Sequence, residues 1–166
     1  WAFENISRVL SHEIVRNRIA GISQESLRYV RLTDLGSWIP PEISENPEAS
    51  KIFTETFEHL EEQQKKLAQL YDIDNIKDFA KKKKLTSAFR RIAPIGLATG
   101  MVWSANLRSL RWVIEQRTSE HAEVEIRILF NKVAEIASQR WPMVFQDFQK
   151  IEKDGLIHWV PDNHKI

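Results

Sequence analysis

The sequence lacks cysteine, carries almost no net charge and has no long apolar run. The absence of cysteine excludes disulfides and thiolate metal ligands, and it is weakly in keeping with a reducing cytoplasm. A formal net charge of +1 gives no overall field that would draw the chain to nucleic acid or to an anionic membrane. No apolar run approaches the length of a membrane span, and no signal peptide is visible. We therefore expect neither a nucleic-acid nor a membrane partner, and no metal site.

The length and composition are those of an ordinary globular domain. The 166 residues suffice for one domain with its own core and are too few for two domains of comfortable size. Hydrophobic residues make up 42% and charged residues 28%. Trp1 is not a natural start, so we expect that residues 1–166 form a single domain whose N-terminal part is missing from this numbering.

Apolar periodicity predicts a helix-rich chain with a few extended segments. Gly21 interrupts the first helical pattern, and the prolines of residues 34–47 indicate a loop. Ser119 and Asp74 are candidate helix caps. Ala122, Ile126, Leu129, Val133 and Ile136 are the expected buried side of the helix over 120–139. The predicted helices are 3–17, 48–71, 75–90, 106–116, 120–139 and a short one from Pro142, and the predicted extended segments are 27–30, 95–105 (with Gly100 as a bulge or close approach) and 156–160.

The helix over residues 48–71 has the clearest amphipathic pattern. Phe53, Phe57, Leu60, Leu67 and Tyr71 form one apolar stripe, so we interpret this helix as scaffold. The run Lys81–Lys84 in the next helix is either a solvated face or a patch for nucleic acid or membrane. A solvated face is favoured because no aromatic residues are interleaved with the lysines.

Residues 16–29 form the stretch that is richest in candidate ligand-binding side chains. They contain Arg16, Arg18 and Arg28 together with amides, hydroxyls and a glycine. Arginine suits phosphate because its planar fork donates paired, charge-assisted hydrogen bonds and keeps its proton. The stretch indicates a site for a polyanionic ligand, although a solvated helix end would have a similar composition.

A second set of polar residues follows between residues 90 and 127. Arg90 or Arg91 stands before Pro94, and Asn106 and Arg108 fall in the first turn of a predicted helix. Backbone amides and the helix dipole favour an anion there. The set continues with Arg117 and His121, whereas for Arg111 and Arg127 a structural role is favoured.

These segments resemble the motifs of the flavin-dependent thymidylate synthases. Arg16-Asn17-Arg18, seven residues and Ser26 resemble the family's Arg-His-Arg, seven residues, Ser. Residues 90–94 resemble its Arg-x-x-Leu-Pro, residues 106–110 its Asn-x-Arg-Ser-Leu, and residues 117–127 its Arg-x-x-x-His-Ala-Gln-x-Glu-Ile-Arg. The matches cover about residues 6–29 and 90–127 in the family's order, and their spacing aligns Arg90 with the family's arginine.

The resemblance implies a fold, an assembly and a set of site residues. The fold would be α+β, helix-rich with a small antiparallel sheet, in a homotetramer whose sites are shared between subunits. Arg117 would act in catalysis by favouring ionisation at N3 of the uracil. The implied uridylate-binding residues are Glu13, Arg16, Gln24, Glu25, Ser26, Arg28, Arg90 and Arg117, and the implied flavin-binding residues are Arg16, Asn17, Arg18, Gln24, Asn106, Arg108, Trp112 and His121.

The resemblance also implies a reaction, the C5-methylation of dUMP to dTMP. FAD would carry the redox chemistry, with NADPH and methylenetetrahydrofolate as co-substrates. Such a route needs no cysteine nucleophile, which agrees with a chain that has none. Ser26 is interpreted as a positioning group, because no neighbouring His or Lys in the sequence would activate it.

Four positions depart from the family pattern and keep rival functions open. Asn17 replaces the His, Glu13 a Gln, Gln24 a Glu, and Trp112 an Asn or His. A branch of the family methylates the ribonucleotide UMP in nucleoside-antibiotic pathways, and a carboxylate such as that of Glu13 would accept a hydrogen bond from a 2′-hydroxyl. Two further functions stay open, namely a flavin- or nucleotide-binding homologue without turnover and a helical interaction domain.

Overall fold

A computed structural model describes residues 1–29, 36–153 and 155–164. Along the chain, the first two strands flank a short helix, two groups of three consecutive helices follow on either side of the third strand, and the last two strands end the chain, with a short 3₁₀ turn at Arg90–Ile92. The strands are β1 (Ala2–Ser7), β2 (Gly21–Gln24), β3 (Ala98–Ser104), β4 (Phe148–Lys153) and β5 (Leu156–Pro161). The helices are α1 (Arg8–Ile14), α2 (Pro41–Ser44), α3 (Pro47–Leu70), α4 (Phe79–Phe89), α5 (Leu107–Arg117), α6 (Val124–Arg140) and α7 (Pro142–Phe145).

The chain divides into two compact units. One contains Trp1, residues 12–22 and residues 103–166, and the other contains residues 2–11 and 23–102. The predicted α+β class, helix-rich with small antiparallel sheets, is confirmed. The assignment of residues 1–166 to a single domain stays a prediction. Within the described part of the chain, no helix is both long and apolar enough to cross a membrane.

The unit with residues 103–166 is built on α5, α6 and the β4–β5 hairpin. Trp103 and Phe130 meet edge to face at 5.9 Å between ring centroids, and both are fully buried. The hydroxyl of Thr118 accepts a hydrogen bond from the amide of Trp159 at 3.0 Å. The buried Asn131 exchanges two hydrogen bonds with the backbone of Ile157, at 2.9 and 3.2 Å. These side-chain hydrogen bonds join the helices to the hairpin, because a helix and a strand cannot pair through their backbones.

The unit with residues 23–102 contains most of the three-stranded sheet, whose order is β1-β3-β2. Strand β1 runs antiparallel to β3, and its register shifts between Phe3 and Ile6. In a regular strand, residues three apart point to opposite faces of the sheet. Here a β-bulge inserts one extra residue between them, so that both Phe3 and Ile6 lie on the buried face. The first predicted helix, residues 3–17, was therefore wrong over its first five residues, because this bulged strand shares the spacing of a helix. Ser7 ends the strand and accepts a hydrogen bond from the amide of Leu10 at 3.0 Å, which starts α1.

Several predicted boundaries and faces also needed correction. Helix α4 begins at Phe79 with Asp78 as its cap, and α6 begins at Val124 with Glu123 as its cap, so Asp74 and Ser119 were wrong choices. On α6, Ile126 and Val133 are buried as predicted, whereas Ile136 is 51% exposed and the neighbouring Ala137 is buried. Residues 27–29 form a turn rather than an extended segment, and strand β4 was not predicted. Val30 and residues 34–35 of the predicted loop lie outside the described residues.

Helix α3 forms as predicted, but its apolar stripe is only partly covered. Asn46 caps it by accepting hydrogen bonds from the amides of Glu48 and Ala49, and Pro47 occupies its first turn. Gln64 is the only buried residue of α3, at 8% exposure. The two phenylalanines of the stripe pack on each other at 5.8 Å, whereas Tyr71 at the end of the stripe is 51% exposed.

Candidate functional site

Arg16, Asn17 and Arg18 follow the end of α1 in a tight turn. The amide of Asn17 donates to the carbonyl of Ile14 at 3.0 Å, and its side-chain amide donates to the same carbonyl at 3.3 Å. Asn17 is buried, whereas Arg16 and Arg18 are exposed. The asparagine thus terminates the helix, and the two flanking arginines point their charges to solvent, where an anion could reach them.

Arg117 is fixed by Glu13 within the same unit. It is the last residue of α5, and its Nη1 lies 3.1 Å from Oε2 of Glu13. Its Nη2 donates to the backbone carbonyl of Glu13 at 2.8 Å. Burial lowers the pKa of Arg117, nearby Glu13 opposes that shift, and Arg16 adds to it. The buried Nε of Arg117 has no hydrogen-bond partner among the described residues. The predicted catalytic cation is therefore oriented by two contacts and keeps one donor for a further partner.

Gln24, Glu25 and Ser26 lie in the other unit, at the end of β2. Nε2 of Gln24 donates to the hydroxyl of Ser11 at 2.9 Å. The amide of Glu25 donates to the carbonyl of Gly100 at 2.9 Å, which ties this end of β2 to β3. Ser26 begins a turn in which its hydroxyl accepts from the amide of Arg28 at 3.4 Å. No described base contacts that hydroxyl, which is consistent with a positioning role.

An open cavity of about 560 Å³ faces strands β1 and β3 beside these residues. Gln24 and Glu25 line it together with Glu4, Asn5 and residues 98–102. Of the predicted uridylate-binding residues, this cavity brings together only Gln24 and Glu25.

Arg8 and Arg90 form a cationic pair in that unit. Nη2 of Arg8 donates to the carbonyl of Glu25 at 3.0 Å and to the hydroxyl of Thr99 at 3.5 Å. Burial lowers the pKa of Arg8, the carboxylate of Glu25 opposes the shift, and the positive charge of Arg90 adds to it. Arg90 itself is exposed at the start of the 3₁₀ turn. The repulsion between these two positive charges would be relieved by a bound anion.

The first turn of α5 presents the predicted flavin contacts Asn106 and Arg108. Oδ1 of Asn106 caps the helix by accepting from the amide of Ser109 at 2.8 Å. Arg108 and the half-buried Trp112 line a cavity of about 310 Å³. On its far wall His164 lies 2.7 Å from Glu115. An exposed arginine, a helix N-terminus and an aromatic ring together fit a phosphate-bearing cofactor with a flat ring system.

His121 is separate from that cavity. Its side chain is 87% exposed, and its Nε2 lies 3.7 Å from Glu120. Its assignment to the flavin stays a prediction.

The predicted residues therefore fall into two groups, one in each unit. The first group is Glu13, Arg16, Asn17, Arg18, Asn106, Arg108, Trp112, Arg117 and His121, and the second is Gln24, Glu25, Ser26, Arg28 and Arg90. Direct contact joins Arg117 to Glu13 in the first group, and the amide of Arg28 to Ser26 in the second.

Comparison with known proteins places this chain in a family. Residues 1–143 match the family model described as thymidylate synthase complementing protein. The chain belongs to this family. It is 33% identical over 156 residues to a flavin-dependent thymidylate synthase of Corynebacterium diphtheriae, covering 92% of the chain and 62% of that protein. The corresponding protein of Clostridium tetani is 33% identical over 150 residues, covering 88% and 60%. The chain thus spans about three fifths of the length of the curated relatives it matches.

A solved structure supports the fold. The crystal structure of a flavin-dependent thymidylate synthase from Helicobacter pylori, complexed with FAD and dUMP, aligns with a TM-score of 0.60. The alignment covers 88% of this chain and 70% of that one at 23% identity. The architecture described above is therefore that of the thymidylate synthase complementing family.

Within this family fold, sequence reasoning missed three contacts. Arg8 was not predicted as a site residue, although it directly follows β1 and donates to the carbonyl of Glu25. Arg111 forms paired bonds to Asp147 at 2.6 and 2.7 Å and also donates to the carbonyl of Val144, so its structural role is confirmed with a partner 36 residues away. Glu115 and His164 are 49 residues apart. No local pattern links residues at such separations.

Proposed function

We propose that this chain forms part of a flavin-dependent thymidylate synthase, which methylates C5 of dUMP to give dTMP. FAD is the cofactor, and methylenetetrahydrofolate and NADPH are the co-substrates. Membership of the thymidylate synthase complementing family supports the proposal. The structural observation that carries it is the fixed cation of Arg117, held by Glu13 at 3.1 and 2.8 Å.

The chemistry assigned to Arg117 follows from its charge and its anchoring. A guanidinium held beside the edge of a uracil stabilises the anion that forms when N3 loses its proton. Because two contacts already orient the side chain, little reorganisation is needed at the moment of reaction. The unpartnered Nε is a further donor for the ring or its carbonyl oxygen.

The remaining residues bind and orient the two polyanions. Arg16, Asn17 and Arg18 are proposed to meet the flavin, with Asn106, Arg108, Trp112 and His121. Ser26, Arg28 and Arg90 are proposed to hold the uridylate, with Glu13, Arg16, Gln24 and Glu25. When bound, the flavin supplies the redox chemistry and carries the one-carbon unit, for which the chain's own side chains have no equivalent.

A homotetramer with shared sites is part of the proposal. Apolar side chains that are exposed in the isolated chain support it, among them Ile52 at 65%, Val102 at 56% and Leu70 at 78%. We place the enzyme in the cytoplasm, with no nucleic-acid or membrane partner.

The experiment that tests the proposal is a visible absorption spectrum of the purified full-length protein, titrated with dUMP and, in parallel, with UMP. We expect a flavin band that dUMP perturbs, and dTMP formation once methylenetetrahydrofolate and NADPH are added. An equal response to UMP would move the substrate to the ribonucleotide. Retained flavin without product would favour a binding homologue without turnover. Absence of a protein-bound flavin band after incubation with FAD and removal of the unbound FAD would overturn the proposal.

A further inference from the structure

A groove with four cationic side chains lies along α4. It has a volume of about 450 Å³ and is open to solvent. We call it the cationic groove, and its lining residues are Arg28, Lys83, Lys84 and Arg91 with the small residues Ala80, Ser87 and Ala88. None of the described residues that line it is acidic, and the small side chains leave the cations accessible.

The charge of the cationic groove is not balanced locally. Among residues 1–29, 36–153 and 155–164, none of its four cations forms an ion pair with a carboxylate. The nearby Asp78 is occupied in capping α4, where it accepts from the amides of Ala80 and Lys81. Since the whole chain carries a net charge of only +1, four cations in one groove are a local excess. Such an excess repels itself and is relieved by an anionic ligand.

Two aromatic rings hold one of the cations in place. Tyr29 and Phe79 stack with 6.5 Å between centroids and 12° between planes. Nζ of Lys83 lies 5.2 Å from the Tyr29 centroid and 5.9 Å from that of Phe79. A hydrogen bond from Lys83 lowers the pKa of the Tyr29 hydroxyl. The lysine run is thus accompanied by aromatic rings brought in by tertiary structure, which the local sequence did not indicate.

The spacing of the cations selects an extended ligand. Lys84 and Arg91 are seven residues apart, which puts them on one side of a helix and separates them by about 10 Å along its axis. The helix continues into the 3₁₀ turn that contains Arg91, so the same side is maintained approximately. One phosphate group cannot contact both ends of the groove. A chain with carboxylates at intervals can contact several of the four cations at once.

We propose that the cationic groove binds an extended oligocarboxylate, namely the γ-linked oligoglutamate tail that folate co-substrates carry. The inference rests on the proposed function, which names methylenetetrahydrofolate as the one-carbon donor. Arg28, which is proposed to bind the uridylate, also lines the groove, so the tail would run from the substrate region along α4 toward Arg91. The groove contributes affinity for the co-substrate and takes no part in bond making.

The first test compares folates with one and with five glutamates in the full-length, flavin-loaded enzyme. We expect the KM of the pentaglutamate to be about tenfold lower, since each exposed charge contact contributes a few-fold. The double variant Lys84→Gln/Arg91→Gln removes this difference and leaves turnover with the monoglutamate unchanged. The matched control Lys77→Gln/Lys81→Gln removes two charges outside the groove lining. This control retains the KM difference between the two folates. Equal KM values for both folates in the wild type would overturn the proposal.

The second test measures binding without turnover. It therefore distinguishes failure of the cationic groove to bind the tail from failure of the proposed thymidylate synthase function. A fluorescent γ-linked pentaglutamate peptide is titrated against the wild type and both double variants, with anisotropy as the readout. Binding that is weakened by salt, kept by the control and lost in Lys84→Gln/Arg91→Gln supports the groove even if no dTMP forms. Absence of peptide binding overturns it. Tighter binding of tripolyphosphate or a single-stranded oligonucleotide through the same two residues also overturns it and identifies a phosphate ligand.

Discussion

At the scale of single residues, the contact between Arg117 and Glu13 has the clearest chemical consequence. Glu13 occupies a position where the family pattern has an amide, and it holds the predicted catalytic cation through both its carboxylate and its backbone carbonyl. The backbone bond orients Arg117 without changing its charge. The carboxylate, in contrast, offsets the positive potential that an anionic uracil would experience.

Replacement of the Glu13 carboxylate tests how far it reduces the positive potential that Arg117 offers to the uracil. We expect Glu13→Gln to raise kcat/KM for dUMP about threefold to tenfold, because the full charge of Arg117 becomes available while the 2.8 Å backbone bond keeps it oriented. Steady-state kinetics with dUMP and UMP measure the effect. Glu135→Gln, an exposed change on α6, serves as control. A fall in kcat/KM for both nucleotides would show that the carboxylate itself is needed.

At the scale of elements, the N-terminus of α5 combines a structural and a binding role in one residue. Asn106 caps the helix through its oxygen, and that cap does not require an amide. Aspartate caps helices as well as asparagine does, but it adds a negative charge beside Arg108. The two roles can therefore be separated by one substitution.

We expect Asn106→Asp to keep the free energy of unfolding within about 0.5 kcal/mol of the wild type and to weaken flavin binding about tenfold or more. The cap hydrogen bond is retained, whereas the new carboxylate repels the phosphates of the cofactor. Urea denaturation and a flavin titration by absorbance give the two readouts. Asn46→Asp on α3, which also preserves a cap, is the control and should leave flavin binding unchanged. Unchanged flavin affinity in Asn106→Asp would remove this helix end from the cofactor site.

An ion pair between Arg111 and Asp147 links α5 to the start of the β4–β5 hairpin. Asp147 accepts two hydrogen bonds from Arg111, at 2.6 and 2.7 Å, and Arg111 also lies over the ring of Phe148, 4.6 Å from its centroid. Arg111 and, less strongly, Asn163 hold the pKa of Asp147 well below its usual range. A carboxyl whose pKa is depressed on folding stabilises the folded state above its unfolded pKa of about 4, and this stabilisation is lost as pH falls toward the folded pKa.

Accordingly, Asp147→Asn should lower the free energy of unfolding by about 1–2 kcal/mol at pH 7. The difference from the wild type should shrink as the pH falls below about 4, since Asp147 of the unfolded wild type then takes up a proton that the folded carboxylate, whose pKa is depressed, resists. Chemical denaturation at several pH values measures it. Asp162→Asn, a change to an exposed neighbour in the same unit, should show a smaller and less pH-dependent difference. A destabilisation that persists unchanged at low pH would mean that packing rather than charge is responsible.

At the scale of the whole molecule, two exposed apolar side chains of α3 are candidates for a contact between subunits. Ile52 and Leu70 are 65% and 78% exposed. They are 18 residues apart, which is five turns, so they lie on the same face of the helix. The residues between them on that face, Thr56, His59, Gln63 and Lys66, are polar, so each of the two apolar side chains is a separate candidate contact in the proposed homotetramer.

We expect Ile52→Lys/Leu70→Lys to shift the full-length protein from a tetramer to smaller species, because two ammonium groups would have to be desolvated in an apolar contact. Light scattering after size-exclusion chromatography measures the mass. Circular dichroism should show unchanged helix content, since neither residue is buried within its own chain. Thr54→Lys/Gln69→Lys places the same charges on other faces of α3 and should leave the assembly intact. A tetramer that survives the first variant would locate the interface elsewhere.

Residue types and local spacing determined much about this protein without any structure. The motifs around Arg16, Arg90, Asn106 and Arg117 identified the family, since their order and spacing are properties of the chain itself. Helices α3 and α5 were found for a similar reason: a stripe of apolar residues or a cap at Asn106 acts within a few residues.

Only the tertiary structure decided what depends on residues far apart in the chain. The spacing of Phe3 and Ile6 fitted a helix, and pairing with β3 made that segment a bulged strand instead. Arg117 meets Glu13 across 104 residues, and Tyr29 approaches Phe79 and Lys83 across about 50. Such contacts arise when non-local packing closes long loops, and no pattern within one helix or strand encodes them.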